Sequence, residues 1–285
     1  MIQTADVVIV GAGIIGGSVA FHLLARDPGL RVVMLEKEAL PGTGATSKAT
    51  GGVRFQFSTE ANVRLTQLSY RYFTHDREIL GCSVDFIRHG YLFVTTSEDT
   101  LEQGRRSVGL QRSLGVASEV LTPAQIQTHL APLVTDDLVG GTFCADDGSA
   151  DPYSMLQGFL SVAKGRGLRL LTDHAVTGLV LDGERVTGVR SRQGDWSAPI
   201  VIDCAGPHAD EIGAMAGIDI PSRPYRRQVM VTEPLPILPA VFPLIVDLDT
   251  GFYVHRQGPS AVLMGGTDKD IKPGHDTTVD WEAFD

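Results

Sequence analysis

Gly11, Gly13 and Gly16, in the run Gly11-Ala12-Gly13-Ile14-Ile15-Gly16, together with Glu36, are the residues whose types and spacing point most directly to chemistry. Glycines spaced in this way let a backbone turn sharply and approach a pyrophosphate, and an acid further along accepts hydrogen bonds from a ribose. Gly11 suits the tight turn, Gly13 the close approach to phosphate, and Gly16 the close packing of a helix on a sheet. The free N–H groups at a helix start near Ile14, with their partial positive charge, would face the phosphates. Glu36, followed by Lys37, would accept from a ribose 2′-hydroxyl and repel a 2′-phosphate.

These residues act together only at the corner of a βαβ unit, and the flanking pattern predicts one. Residues 6–10 are an apolar run of strand type, an apolar helical stretch follows to about residue 25, and residues 31–35 read as a second strand ending on Glu36. The unit predicts binding of an adenine dinucleotide.

Next comes a loop rich in small and hydroxyl residues, running through Thr46-Ser47 to Gly51-Gly52-Val53-Arg54. Ser58-Thr59-Glu60 has the form of a cap on a long helix carrying Val63, Leu65, Leu68, Tyr72 and Phe73. Strands are predicted at 84–87 and 91–94, and helices over 99–114, after Thr122-Pro123, and from Asp151-Pro152 to about residue 164. Two β-rich pieces, 168–181 and 185–190, precede a strand that runs into the small-residue turn Cys204-Ala205-Gly206-Pro207. From about residue 221 the chain is Pro-rich, with strands expected near 227–232, 251–255 and 261–265. The expected fold class is α/β: a Rossmann-like nucleotide-binding domain with an interleaved α+β substrate domain on a mostly antiparallel sheet. The expected division assigns 1–83 and 146–220 to the first and 84–145 and 221–285 to the second.

The chain has 285 residues and a formal charge of −10, from 34 acidic and 24 basic side chains. That balance, with basic residues scattered, argues against a nucleic-acid partner. Three distant cysteines, Cys82, Cys144 and Cys204, suggest neither a disulfide framework nor a zinc site and suit a reducing compartment. No HExxH, CxxC or Gly-x-Ser-x-Gly pattern is present, so no metal is expected and a hydrolase triad has no support. The apolar N-terminal run lacks a basic n-region, and its glycines interrupt the ~18 apolar residues a membrane span needs. A cytoplasmic protein without a transmembrane segment is the expectation.

With these pieces in place, the chain resembles the flavin-dependent amine oxidoreductases of the D-amino acid oxidase superfamily, nearest the sarcosine oxidase, dimethylglycine dehydrogenase and proline dehydrogenase β-subunit-like branch. The resemblance rests on the Gly11 fingerprint with Glu36, the Thr46-Ser47 loop leading to Gly51-Gly52-Val53-Arg54, Gln56-Phe57-Ser58-Thr59-Glu60, Gly90-Tyr91-Leu92, Asp147-Gly148 with Asp151-Pro152, Cys204-Ala205-Gly206-Pro207, Arg227-Gln228-Val229, Gly251-Phe252-Tyr253 and Gly265-Gly266-Thr267-Asp268. It implies FAD, with Glu36 and Lys37 at the adenosine ribose, and Thr46, Ser47 and the backbone through Gly51-Gly52 reaching the pyrophosphate and flavin. It also implies Val176 on the adenine side, where plain core is the alternative, and Cys204, Ala205 and Gly206 closing over the phosphates. Such relatives continue beyond the position of Asp285, so the resemblance leads us to expect a chain lacking the C-terminal part of the family fold. It would then be a fragment, or an FAD-binding subunit inactive without a partner.

The implied reaction is oxidation of the C–N bond of a secondary or N-methylated amino acid, with a hydride equivalent passing to flavin N5. A substrate carboxylate calls for an arginine. Arg54 is the first candidate, with a salt bridge as the alternative. Tyr253, His255 and Arg256 are next, Tyr253 also reading as a half-buried sheet aromatic. His208 follows the Gly206-Pro207 turn and would either approach the flavin or pack. Oxidases of this kind carry a lysine just before the glycine matching Gly265, where this chain has Ala261-Val262-Leu263-Met264. Leu263 offers no cation to assist dioxygen, so a dehydrogenase passing electrons to a carrier is favoured over an oxidase releasing hydrogen peroxide. A nicotinamide enzyme fits less well, because the Ser47 to Arg54 loop has no counterpart in a simple NAD-binding domain. Sarcosine, dimethylglycine, proline, hydroxyproline, glycine and opines all stay open as substrates.

Overall fold

The computed structural model describes residues 2–258, 260–266 and 270–282. Thr267 and Asp268 of the Gly265 motif, and the end at Asp285, lie outside these residues.

Four parallel strands run side by side in the order Ile200–Asp203, Val7–Val10, Val32–Leu35, Arg169–Leu171. A parallel sheet is covered on both faces, which is why Val7–Val10 and Val32–Leu35 are apolar at every position rather than alternating. Val7, Ile9, Val32 and Met34 pack beneath two helices, Ile14–Arg26 and Pro152–Gly165, with Leu24, Leu156 and Leu160 fully buried between them. Val8, Val10, Val33 and Leu35 face the other way, onto Trp196 and the helix Ala209–Ala214. That side is closed by an antiparallel ribbon, Val176–Asp182 with Arg185–Ser191, to which Trp196–Ser197 and Gln3–Thr4 are added.

A second sheet has seven strands in the order Val229–Val231, Ala261–Gly265, Tyr253–Gln257, Leu244–Asp247, Tyr91–Thr95, Gly140–Cys144, Glu119–Leu121. All neighbours are antiparallel except Leu244–Asp247 with Tyr91–Thr95. One face packs on the short helix Pro123–His129, whose Thr122 and Gln125 form a capping box. The opposite face carries Tyr91, Phe93, Leu244 and Tyr253 and looks toward the loop that follows the first sheet. A two-stranded piece, Gly52–Val53 with Gly148–Ser149, joins the two regions.

The α/β class with a mostly antiparallel second sheet is as expected, and four elements correct the local expectations. Residues 84–87 contribute a single bridge, Ile87 to Ser149, instead of a strand, since Asp85 has φ 50° and turns the chain away from a ladder. The piece 168–181 divides, Arg169–Leu171 entering the parallel sheet and Val176–Asp182 the ribbon. In the helix Glu60–Thr74, Val63 is buried but Leu65 and Leu68 are 60% and 70% exposed. At ~100° per residue they sit on the face away from Val63. Gly140–Cys144 was not foreseen as a strand. Its Gly141 lies so close to its neighbour that a Cβ would strike the Phe93 carbonyl, so the position hides its β character from any side-chain pattern.

The close fit of helix to helix has a measurable energy. A Cβ on Gly17 would come within 2.7 Å of Leu156 Cδ1, so Leu156 fills a space shaped for it. Leu156→Ala is expected to destabilise the fold by about 2–5 kcal/mol in denaturant titration, with the slope m unchanged.

Candidate cofactor and substrate site

The first corner is built by backbone on backbone. Gly11 has φ 100°, its N–H donates to the Leu35 carbonyl at 2.8 Å, and a Cβ there would strike the Cys204 carbonyl. A Cβ on Gly16 would strike the carbonyl of Gly11. The Cys204 N–H donates to the Val10 carbonyl at 2.8 Å, and the Asp203 carboxylate accepts from Ala205 N–H at 2.9 Å, so Cys204, Ala205 and Gly206 form the neighbouring corner. Gly13 caps the helix and has no side chain to satisfy its N–H groups, and the buried Thr46 takes that place, its Oγ1 accepting from Ile14 N–H at 3.0 Å. A Cβ on Gly13 would lie 3.2 Å from the same oxygen. Ser47 follows, exposed on the loop, with its N–H donating to the Gly42 carbonyl at 3.0 Å.

Glu36 is only 9% exposed. Its Oε2 accepts from Ala12 N–H at 2.8 Å and its Oε1 from Glu38 N–H at 3.0 Å, which holds the carboxylate at the strand end. The Glu36 carbonyl accepts from His174 N–H at 2.7 Å, bringing the chain before Val176 to this end of the sheet. Val176 itself is half-buried and packs among the apolar residues of the sheet's second face.

Lys37 leads to a grouping that spacing did not reveal. Its Nζ lies 3.1 Å from His208 Nε2, while His208 Nδ1 lies 3.0 Å from Glu211 Oε1, which also takes His275 Nε2 at 3.2 Å. The two imidazoles stack at 4.4 Å. His208, Glu211 and His275 are a conceivable metal-ligand set by distance, although no metal was expected. The ammonium of Lys37 donates to Nε2, which leaves the proton of a neutral imidazole on Nδ1, donated to Glu211. Through these contacts the group forms a hydrogen-bonded clasp between the Gly206 turn and the 270–282 segment.

The substrate candidates separate. Gly51 (φ 75°) and Gly52 run over the Tyr91 hydroxyl, where a Cβ on Gly52 would collide. Beside them is an open cleft of about 390 Å³ lined by Gly52, Val53, Arg54, Phe57, Thr66 and Tyr91. The half-buried Arg54 lies over the rings of Phe57 at 4.7 Å and Phe93 at 5.4 Å. Among the described residues no carboxylate pairs with it. Tyr253 packs with Tyr91 and Phe93 at the same sheet face, its hydroxyl over Gly265. Burial pushes Tyr91 up to about 12 and raises Tyr253, so both stay protonated.

His255 and Arg256 do not join this group. His255 is 1% exposed, its Nδ1 donates to the Arg256 carbonyl at 2.8 Å, and burial lowers its pKa, so it is a neutral residue of the sheet interior. Arg256 points to the opposite face, as alternation along a strand requires. Its guanidinium is spent on the carbonyls of Leu238, Pro239, Ala240 and Ser260. Sequence reasoning missed Asp147, Gln56 and Tyr91 as parts of the site. Asp147 is fully buried, and burial, outweighing the hydrogen bonds from Phe55 N–H and Gln56, raises it to about 6.

The family model for FAD dependent oxidoreductases (DAO) matches residues 6–285. The chain belongs to this family. It is 30% identical over 271 residues to mitochondrial sarcosine dehydrogenase of Homo sapiens, covering 93% of this chain and 29% of that protein. It is 27% identical over 266 residues to mitochondrial dimethylglycine dehydrogenase of Rattus norvegicus, covering 92% and 30%. The crystal structure of L-proline dehydrogenase from P. horikoshii superposes with a TM-score of 0.90 at 28% identity, over 99% of this chain and 74% of that one. The chain thus spans under a third of the length of these two curated relatives.

The cofactor of the family is FAD, and the residues present fit it. The Gly13 position leaves room that a Cβ would fill beside Thr46, the helix start offers N–H groups to a pyrophosphate, and Glu36 offers a fixed carboxylate. Among the described residues no helix is long and apolar enough to cross a membrane.

Two outcomes follow. Glu36→Ala removes the acceptor of two N–H groups and the acid expected to face the ribose, so FAD affinity should fall about tenfold or more in a flavin-fluorescence titration. Asp147 binds its proton more tightly folded than unfolded. Ionising it therefore costs stability, and that cost, about 3 kcal/mol, accumulates as pH rises from 3.8 to about 6. Asp147→Asn should flatten this part of the stability–pH curve, measured by denaturant midpoints from pH 4 to 7.

Proposed function

We propose that the chain uses FAD to oxidise the C–N bond of a secondary or N-methylated amino acid of the sarcosine, dimethylglycine or proline type, passing electrons to a carrier. Residues 1–83 and 146–220 hold the cofactor in this reading, and 84–145 and 221–285 face the substrate. The supporting observation is Arg54: a half-buried guanidinium held over two aromatic rings, without a carboxylate partner among the described residues, in an open cleft beside Gly51 and Gly52. A planar fork in that position binds a carboxylate through both oxygens. Tyr91 and Tyr253 close the same face and keep their protons, so they can donate to or shield a bound amino acid but not act as bases at neutral pH. FAD, when bound, supplies the hydride acceptor at N5. The chain's own part is to fix the carboxylate, turn the amine toward that acceptor and exclude water.

Leu263 favours a carrier over dioxygen. It is 7% exposed, on the strand beside His255, and brings no cation to the place where oxidases of this family carry lysine.

The test is an anaerobic absorbance spectrum of the FAD-loaded chain before and after sarcosine, dimethylglycine, proline and glycine. Bleaching by one of them, with colour returning slowly in air and quickly with a redox dye, is expected. Fast return in air would make the protein an oxidase. A chain that takes no FAD, or takes it and bleaches with none of the four, would count against activity without a partner subunit. Arg54→Ala should raise KM for the amino acid about 10- to 100-fold, the loss of a charge-assisted pair. Equal oxidation of an amine lacking a carboxylate would remove Arg54 from substrate binding.

A further inference from the structure

Arg54 sits on a loop that is irregular apart from Gly52–Val53, yet its direction decides what the cleft can bind. Asp147 fixes this loop. Its Oδ1 accepts from Phe55 N–H at 2.6 Å and its Oδ2 from Gln56 Nε2 at 3.0 Å, all buried. Gln56 Nε2 also donates to the Tyr91 carbonyl at 2.9 Å, and its Oε1 accepts from Thr142 Oγ1 at 2.8 Å, so the amide is fully satisfied. The residues after Asp147 pair with Gly52–Val53, just ahead of Arg54. The loop is thus held on both sides of Arg54, and Gln56 ties it to the strand bearing Tyr91 and Phe93.

We infer that Asp147 is a positioning residue for Arg54, acting through Phe55 and Gln56 to present the guanidinium to a substrate carboxylate. This rests on the reading that Arg54 receives that carboxylate. The groups facing Asp147 through its hydrogen bonds are donors: Phe55 N–H, Gln56 NH2 and the Cys144 thiol. An ionised carboxylate is acceptor-only and satisfies them together, whereas an amide of the same shape must turn an NH2 toward one of them. Gln56 would then have to flip, withdrawing its donor from Tyr91. The carboxylate is also a buried anion within electrostatic reach of Arg54. Its oxygens are occupied, so it attracts the guanidinium without closing on it. The titratable or charged groups around it are Arg54, Cys144, Tyr70 and Tyr91, of which Arg54 is a permanent cation. The thiol is pushed by burial to about 12, as is Tyr91, and Tyr70 is raised as well, so Asp147 alone among them changes charge near pH 6.

The experiment uses the FAD-loaded full chain and acetate as the carboxylate probe, followed by the flavin absorbance change, for the wild type, Arg54→Ala, Asp147→Asn and the double variant. Hydrogen exchange at the Phe55 amide gives a second readout that needs no turnover. Each single variant is expected to weaken acetate binding about tenfold or more, and the double variant no further, because the two residues act as one unit. Phe55 should lose protection in Asp147→Asn, and wild-type acetate affinity should fall more steeply than that of Asp147→Asn as pH drops through about 6. Loss in Arg54→Ala with wild-type binding in Asp147→Asn, or effects that add, overturns the positioning role and leaves the role of Arg54 standing. No loss in Arg54→Ala overturns both. If Asp147→Asn does not fold, Gln56→Met keeps the charge and cuts the link: a similar loss supports the inference, and unchanged binding overturns it.

Discussion

Backbone packed against backbone at the first corner is the constraint on which the nucleotide side of the structure depends. Gly11 lies against the Cys204 carbonyl and Gly16 against the Gly11 carbonyl, and neither contact leaves space for a Cβ. Because the helix can come this close, its start falls between the two corners of the sheet, with Thr46 over Ile14 and Glu36 under Ala12. A single methyl group at Gly16 would push the helix off the sheet and separate the N–H groups from the carboxylate that shares the site with them. Cofactor geometry here follows from a packing condition rather than from any one ligand residue.

The second region hangs on a smaller joint with a higher energetic cost. Gly52–Val53 pairs with Gly148–Ser149, and next to that pairing a carboxylate is buried where water cannot reach it. Burial raises the pKa of Asp147, and the donors from Phe55, Gln56 and Cys144, together with the charge of Arg54, limit the rise to about 6. A neutral apolar pair would hold the loop at lower cost. Stability and presentation of Arg54 pull in opposite directions at this residue, as sites built from buried charge often do.

How much of this was legible follows from the range of each interaction. The glycine corner, the Thr122 capping box and the Asp151-Pro152 helix start are local, and the residues that make them lie within a few positions of one another. Glu36 was readable for the same reason, since one βαβ unit sets its distance from Gly11. Asp147 and Gln56 stood out only as parts of resembling motifs and not as site residues, because the hydrogen bonds that join Asp147 to Phe55 and Gln56 span 92 and 91 positions. Arg54 ranked ahead of Arg256 as a candidate cation, but no spacing rule excluded Arg256. Arg256 is removed by strand alternation and by four carbonyls that no spacing rule brings together. The clasp of Lys37, His208, Glu211 and His275 was hidden because its members come from three distant segments.

The charge of the cleft bears on how an amine would react there. Burial raises the pKa of Tyr91, which lines the cleft, and of Tyr253, which packs beside Tyr91, so both are neutral at physiological pH. Arg54 is then the permanent charge of the lining, with Asp147 behind it and already hydrogen-bonded. A cation fixed beside the carboxylate end of an amino acid stabilises that end and disfavours a proton on the nearby nitrogen. Hydride loss requires that nitrogen to be uncharged. In the proposed reaction one arginine, unpaired with any carboxylate among the described residues, would serve both needs, and the cleft would need no general base of its own. An acid moved from behind the loop to its surface would undo this twice, by pairing with Arg54 and by favouring the ammonium form.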